Sequence, residues 1–374
     1  MKLTKEILKD YIERGLVEEA RHQSLPLSIY NYSRDCQFEG KWDEVTLMCR
    51  GLIMDDAGKI IGRGFNKFFN YEELTQPVPW TTSDYVYVQE KMDGSLGLLF
   101  YYADEWHLAT KGSFHSEQAV RGMEIIRQKH FLPAFQREYT YVVEIIYPEN
   151  RIVVQYPDEK VTFLSVFLNR SFDCWKEDGG DELHWTTAQA ILKMSGIKPS
   201  NLVKTDQIFK NDLGHDLYKK LKEQNLQNRE GYILRFFPSN FRCKIKFEDY
   251  VRLHRIITNF SNVDIWDALR VKQDFGHILQ NVPDEFDSWV KSVKAELTKK
   301  YTNTEKAYQK IFNEINTIEG SEDRKVFAQH ALRYKMSSIL FAMKDGKDYS
   351  ETIWKSIRPT YAKPFWAKGD PTTA

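Results

Sequence analysis

Cysteine is scarce and scattered: Cys36, Cys49, Cys174 and Cys243 are the four in 374 residues. No two stand at the short spacing of a metal pair, and so few build no disulfide framework, so reduced structural thiols are expected. Nowhere does an apolar run approach the roughly 20 residues that span a bilayer. The opening segment MKLTKEILKDYIERG is charged and amphipathic and lacks a secretory signal's apolar centre. A soluble cytoplasmic protein without a membrane partner is expected. The nine histidines form no HExxH or Cys/His cluster, so zinc chemistry has no support. No GxGxxG or Walker A run occurs, which leaves no P-loop for a nucleotide. Excess charge of one sign is missing too: 53 Lys+Arg meet 53 Asp+Glu. That balance excludes a uniformly basic coat but not a basic groove.

Aromatic residues are plentiful, with 23 Phe, 20 Tyr and 9 Trp, and the length suits two domains. Leu3, Ile7, Leu8, Tyr11 and Ile12 predict a helix ending near Gly15. Short strands are predicted at VTLMCRGLIMD, IIGRGF, DYVYVQEK, SLGLLFYY and EWHLATKG, and again at YTYVVEIIYP, NRIVVQYP and KVTFLSVFLN. Helices are predicted over 116–130, 186–195 and 204–223, and GYILRFF and FRCKIKF read as an antiparallel pair. Beyond about residue 250 strand patterns stop. Phe286, Trp289, Val293 and Leu297 share a helical face, as do Tyr308, Phe312 and Ile315, with Pro283 at a helix start. Helices are also predicted over 322–343 and 350–357, with Ser350 as N-cap. The expected architecture is α+β: an antiparallel-sheet-rich domain over 1–254, then an all-helical domain over 255–374. Charge divides the same way. Residues 241–374 carry 23 Lys+Arg against 18 Asp+Glu, and residues 1–240 carry 30 against 35. The excess leans toward a polyanion, although a solvated helical surface carries such an excess equally well.

The chemistry gathers around lysines. Lys91-Met92-Asp93-Gly94 lies between two alternating runs, so a turn presents Lys91. Lys-x-Asp-Gly alone is weak, since Asp-Gly is common in β-turns and a chance match occurs in roughly one such chain in fifteen. Lys67 in NKFFN, Lys111 in TKGS, and Lys244 and Lys246 in KIK add weight. Strand alternation puts Lys244 and Lys246 on one face and Ile245 on the other, toward a core. Arg50-Gly51 and Glu230-Gly231 stand at strand ends. Glu144 interrupts the apolar run YVVEIIY, where an unpartnered carboxylate is costly. Cations punctuating several sheet edges suggest a phosphate-lined pocket.

In this order the motifs resemble the phage-type RNA ligase 1 family, within the covalent nucleotidyltransferases that also include DNA ligases and capping enzymes. The resemblance rests on CRG at Cys49–Gly51, KFFN at Lys67–Asn70, KMDG at Lys91–Gly94 and KGS at Lys111–Ser113. It continues with VVEI at Val142–Ile145, REGYILR at Arg229–Arg235 and KIK at Lys244–Lys246. It implies a nucleotidyltransferase fold of ATP-grasp-like adenylation type over the first domain. Lys91 would be the nucleophile that forms lysyl-AMP from ATP. Arg50, Lys244 and Lys246 would join it in catalysis by holding phosphates, and the two lysines would disfavour protonation of Lys91. Asp93 would orient the lysine loop, and Gly94 and Gly231 would let the backbone approach the nucleotide. Arg50 and Lys67 would meet phosphates or the RNA end. Phe69 would lie beneath the pocket or near the ribose, and Lys111 would hold the nucleotide. Glu144 and Glu230 would ligate Mg2+, with Mn2+ as the alternative ion; the other readings are a ribose contact for Glu144 and pairing of both carboxylates with lysines. Phe163 and Phe167 fall where relatives face adenine, but a core strand explains them equally.

The implied activity is ATP-dependent joining of RNA 5′-phosphate and 3′-hydroxyl ends through lysyl-AMP and RNA-adenylate. The implied substrate is single-stranded or broken-loop RNA such as a cleaved tRNA, with the helical domain in recognition, the chain monomeric, and the host-cell cytoplasm its place if phage-encoded. The alternatives are a DNA ligase, a GTP-dependent capping guanylyltransferase, or a non-catalytic RNA-binding protein on the same fold. The first two usually carry an OB-fold after the last lysine motif, where this sequence reads as helices.

Overall fold

The computed structural model describes residues 3–169, 181–273 and 284–362. Cys174 and Pro283 fall outside them. Strands β1 (Val17–Arg21), β2 (Leu27–Tyr32), β3 (Arg50–Asp55) and β4 (Ile60–Gly62) form one sheet in chain order. Then come β5 (Phe69–Asn70), β6 (Tyr85–Lys91), β7 (Ser95–Tyr102), β8 (Glu105–Thr110) and β9 (Tyr139–Ile146). They are followed by β10 (Lys160–Leu168), β11 (Asp181–Glu182), β12 (Thr205–Phe209), β13 (Gly231–Phe237) and β14 (Arg242–Lys246). These ten build two five-stranded sheets, ordered β11-β10-β9-β7-β8 and β12-β6-β13-β14-β5. Strands pair antiparallel throughout except for the short β14/β5 contact. The α+β class read from the sequence is the observed one.

The central sheet is covered on both faces, which explains why β9 reads as an almost continuous apolar run. Its odd positions, Tyr141, Val143 and Ile145, share a core with Ile125, Ile126, Trp185 and Leu192 of the helices Glu117–Lys129 and Trp185–Met194. On the other face Val142 packs with Leu98 and Phe100 of β7 and with Leu27 and Ile53 of the first sheet. Complete burial of such side chains contributes about 1.5–3 kcal/mol each. Glu144 follows Val142 on that second face, where the packed surface opens. The third sheet alternates likewise: Val86, Val88, Cys243 and Ile245 bury into one core, leaving Gln89, Lys91, Lys244 and Lys246 on the opposite face.

Three sequence expectations are corrected in this part of the chain. VTLMC is not strand but the helix Glu44–Met48, because Asp43 and Thr46 form a reciprocal capping box before it. NRIVVQYP forms no strand; the Val153 and Val154 amides donate to Asp93 at 2.9 and 2.8 Å instead of to a neighbouring strand. Residues 204–223 are not one helix: Thr205–Phe209 adds to the edge of the third sheet beside β6, and the helix is His215–Glu223. Its apolar spacing fits a half-exposed edge strand as well as a helix.

One compact unit ends at Arg252 and a second begins at Leu253. Among the described residues no strand follows Lys246. In the second unit the 33-residue helix Asp284–Asn316 buries Phe286, Val290, Leu297, Tyr308 and Ile315 along one side. Tyr308 and Ile315 pack with Phe327, Ile339, Leu340 and Ile353 of the helices that follow. The expected helix over 322–343 is two, Arg324–Ala331 and Ser337–Lys344, and Ser350 is the first residue of the last helix instead of its N-cap, its amide donating to Asp348 at 2.8 Å. Among the described residues no helix is long and apolar enough to cross a membrane. Cys36, Cys49 and Cys243 are buried free thiols.

Candidate active site

Register brings the lysines together. Gly231 pairs with Lys91 across β13/β6 and with Lys246 across β13/β14, so one strand start is flanked by both. The preceding residue, Glu230, is 3% exposed and bridges them: Oε2 lies 2.7 Å from Lys91 Nζ and Oε1 lies 2.9 Å from Lys246 Nζ. Gly231 has φ +146°, and a Cβ there would lie 2.0 Å from the Ile245 carbonyl oxygen. Only glycine permits this approach. At Gly94 a Cβ would lie 2.5 Å from the Ile145 carbonyl oxygen and 3.0 Å from Cγ of Glu144.

Asp93 stands behind the lysine. Its Oδ2 accepts from the Val153 and Val154 amides, its Oδ1 accepts from the Tyr250 hydroxyl at 2.8 Å, and its own N–H donates to the Tyr156 hydroxyl at 2.8 Å. A buried carboxylate with three donors fixes the loop that carries Lys91. The sequence contains no signal pairing Asp93 with Tyr250, 157 positions away.

The cavity in front of Lys91 measures about 430 Å3, within the range of small-molecule sites. Of the residues expected at the site, Arg50, Lys67, Lys91, Gly94, Lys111, Glu144, Lys244 and Lys246 line it. Asp93, Glu230 and Gly231 support it from behind. Phe69 faces a neighbouring chamber instead, with its ring centroid 5.5 Å from that of Trp42. Phe163 and Phe167 are core residues; the bulge between Phe163 and Ser165 leaves Leu164 as the β10 side chain lining the cavity.

Tyr32, Gln89 and Arg242 also line the cavity and belong to none of the expected motifs. Tyr32 closes β2 with its ring 5.2 Å from Lys67 Nζ and 5.1 Å from Lys111 Nζ. Burial raises its pKa, but Lys111, Lys67 and Arg50 together pull the phenol below its ordinary range. The signal available in sequence was only a tyrosine ending an apolar strand.

The electrostatics differ from the expected cationic activation of Lys91. Burial opposes its charge, yet Glu230 and Glu144 more than offset this and hold the ammonium above its usual pKa. The depressed lysine is Lys244, brought down to about 8 by burial and by Lys246, Lys91 and Lys67. Burial pushes Glu144 up to about 7 against the pull of Lys91. In Glu230 the attraction of Lys91 and Lys246 overcomes burial and lowers the carboxyl. Arg50 is lowered by burial, and its Nη1 has no hydrogen-bond partner. The arrangement presents cations, one of them an unsatisfied donor, to an anionic ligand.

The donor set also bears on a metal. Among the described residues no group of three His, Cys, Asp or Glu side chains could hold one. Mg2+ is commonly held by one or two carboxylates together with substrate phosphates. Glu144, which faces the cavity without an ion pair among the described residues, suits that role. Both oxygens of Glu230 are already taken by lysines.

Residues 48–250 match the family model described as RNA ligase. An RNA ligase of Rhodothermus phage RM378 is 25% identical, with 86% of each chain covered. A putative bifunctional polynucleotide kinase/RNA ligase of Autographa californica nuclear polyhedrosis virus is 26% identical over 74% of this chain and 46% of its own length. Among solved structures, an archaeal ATP-dependent RNA ligase is 16% identical with a TM-score of 0.46, covering 72% of this chain and 66% of that one. A Naegleria gruberi RNA ligase solved with ATP and Mn is 13% identical over 46% of this chain and 52% of that one, with a TM-score of 0.36.

Proposed function

Because this chain belongs to the phage-type RNA ligase family, we propose that it is an ATP-dependent ligase that seals RNA through adenylylation of Lys91. The observation that carries the reading is a lysine held by a buried carboxylate at the mouth of a cavity lined by Arg50, Lys67, Lys111, Lys244 and Lys246.

In the first step neutral Nζ of Lys91 attacks the α-phosphorus of ATP. An N–P bond forms, the bond to the bridging oxygen breaks, pyrophosphate leaves with the electron pair, and Nζ loses one proton to solvent. Arg50, Lys67, Lys244 and Lys246 hold the polyphosphate by fixed positive charge. A divalent cation, Mg2+ or Mn2+, would be held by Glu144, where it supplies neutralisation of phosphate oxygens. In the second step a 5′-phosphate oxygen of RNA attacks the same phosphorus, the P–N bond breaks, and Lys91 departs as an amine that takes up a proton. The raised pKa of Lys91 opposes the first step and favours the second: Glu230 makes a better leaving group of the lysine at some expense to its nucleophilicity. An RNA 3′-hydroxyl then attacks the adenylated phosphate, forming the phosphodiester and releasing AMP.

The helical unit, where residues 253–374 carry 19 Lys+Arg against 16 Asp+Glu, is proposed to read structured RNA such as a broken tRNA loop. A helical second unit without described strands speaks against DNA ligases and capping enzymes that carry an OB-fold there. Retention of the whole lysine set speaks against a non-catalytic role. Joining assays with ATP or GTP, on single-stranded RNA ends or nicked duplex DNA, test the reading. ATP and RNA are expected to win; a preference for GTP or for nicked DNA overturns it.

A further inference from the structure

In the reaction steps above the cations of the nucleotide cavity hold phosphates, and its uncharged end has no assigned task. Sheet register separates the two ends. Gly231 stands between Lys91 and Lys246 in one cross-strand row. The next row runs Thr205, Gln89, Ile233 and Lys244 across β12, β6, β13 and β14. Directly opposed residues share a face. The row therefore sets Gln89 two strands from Lys244, about 10 Å away at the usual strand spacing. The row beyond holds Tyr87, Arg235 and Arg242. Glu182 ties down both arginines there, Arg235 at 3.0 Å and Arg242 at 2.9 and 2.8 Å.

Gln89 is 7% exposed. Ile233 lies beside it in the row, and Leu164 and Val203 line the cavity with it. The Val203 amide donates to the Phe163 carbonyl at 3.0 Å, which anchors Val203 next to Leu164. An apolar end with an uncharged amide suits a base, as the cationic end suits phosphates.

Thr205 fixes which way the amide points. Nε2 of Gln89 donates to Thr205 Oγ1 at 3.3 Å, and that hydroxyl donates in turn to the Val203 carbonyl at 3.2 Å. A threonine hydroxyl has one hydrogen, and here a carbonyl takes it, so toward Gln89 it can only accept. Turning the amide over would set two oxygens against each other. Oε1 is therefore the free end. It accepts from no group among the described residues and, unlike Nη1 of Arg50, it is not sealed inside the protein. An acceptor held at a base site takes a donor. Adenine offers an amino group at position 6, whereas guanine and hypoxanthine offer an oxygen there.

We infer that Gln89 selects the nucleotide by accepting a hydrogen bond from the 6-amino group of adenine, and that Thr205 is the positioning residue that keeps the amide in the accepting sense. The inference deepens the ligase reading and rests on it. It places base choice on two residues of β6 and β12 that lie outside the lysine motifs.

The test is covalent adduct formation by the full-length chain with three labelled nucleotides. They are ATP, purine riboside triphosphate, which lacks the 6-amino group, and inosine triphosphate, which has an oxygen there. Rates are compared at limiting nucleotide. The parent should favour ATP over purine riboside triphosphate by about tenfold, the worth of one buried hydrogen bond, and should use inosine triphosphate least. Gln89→Leu should slow the reaction with ATP and bring it level with purine riboside triphosphate. Thr205→Val keeps the branched shape of a partly exposed strand residue and frees the amide to turn. It should raise the inosine-to-ATP ratio by about fivefold or more. Equal use of ATP and purine riboside triphosphate by the parent, or a ratio left intact by Gln89→Leu, overturns the inference. So does equal slowing of all three nucleotides, the mark of a merely structural role. An unchanged inosine-to-ATP ratio in Thr205→Val overturns the role of Thr205 and, if Gln89→Leu does not fold, the whole inference. No adduct from the parent with any nucleotide would sink the ligase reading, whereas an adduct formed without these preferences sinks only the base assignment.

Discussion

Lys91 Nζ lies 2.7 Å from Oε2 of Glu230, a carboxylate that is almost wholly buried. The pair keeps the proposed nucleophile protonated in the free protein. Replacing Glu230 by Gln should therefore lower the pKa of Lys91, because an adjacent opposite charge is removed. Labelling of Lys91 by an amine-selective reagent, followed against pH, should shift to lower pH. An unmoved profile would show that Glu230 does not control the lysine.

Asp93 should matter through stability as well as rate. Asp93→Ala strands the two buried amides of Val153 and Val154, with an expected cost of about 2 kcal/mol or more. Tyr250→Phe removes the hydroxyl that donates to Asp93 and should cost about 1 kcal/mol. Chemical denaturation should rank the variants in that order, and the rate of adduct formation should follow. Equal stabilities would mean that the loop is held by other contacts.

The three glycines beside the lysine motifs should respond differently to alanine. Gly94→Ala and Gly231→Ala place a methyl group against backbone oxygens at 2.5 and 2.0 Å, so melting temperature and adduct yield should both fall. Gly112, in the lysine motif at Lys111, has nothing within 4 Å of an added Cβ. Gly112→Ala should melt like the parent. A destabilised Gly112→Ala or a tolerated Gly231→Ala would contradict the packing described.

Two groups make stability depend on pH in opposite senses. The folded pKa of Glu144, about 7, lies above its ordinary 4.5. The folded state therefore binds more protons between these values, and stability falls as pH rises through that window. Glu144→Gln should gain in melting temperature over the parent between pH 4.5 and 7, with the full gain above. The folded pKa of Lys244, about 8, lies below its ordinary 10.5. Stability should rise from pH 8 to 10.5, and Lys244→Met should be stabilised most below pH 8. Scanning calorimetry across pH measures both; differences that do not vary with pH would contradict the assignments.

Much of the site was legible because strand alternation is a strict rule. Lys244 and Lys246 fall on one face and Ile245 in a core without any tertiary information. The KMDG, REGYILR and KIK segments likewise announced residues that register then assembles. What could not be read were partnerships between distant segments. Asp93 captures the amides of residues 153 and 154, so a run rich in valine and isoleucine became a loop. The bulge in β10 chose Leu164 over its phenylalanine neighbours. Tyr32 and Arg242 gain their meaning only from the cations and carboxylate that surround them. The sign of the Lys91 shift has the same origin: the sequence offers pairing of Glu230 with lysines only as an alternative to metal ligation, and the 2.7 Å contact decides for pairing.

The competition between Lys91 and Lys244 gives the most direct test, since Lys244 is the lysine whose pKa is depressed. The chain is incubated with ATP labelled at the α-phosphate, the adduct is trapped, and the modified peptide is mapped by mass spectrometry. AMP on Lys91, absent from Lys91→Ala and retained in weaker yield by Lys244→Met, is the predicted result. AMP mapped to Lys244 or Lys246, or an undiminished adduct in Lys91→Ala, would contradict the account.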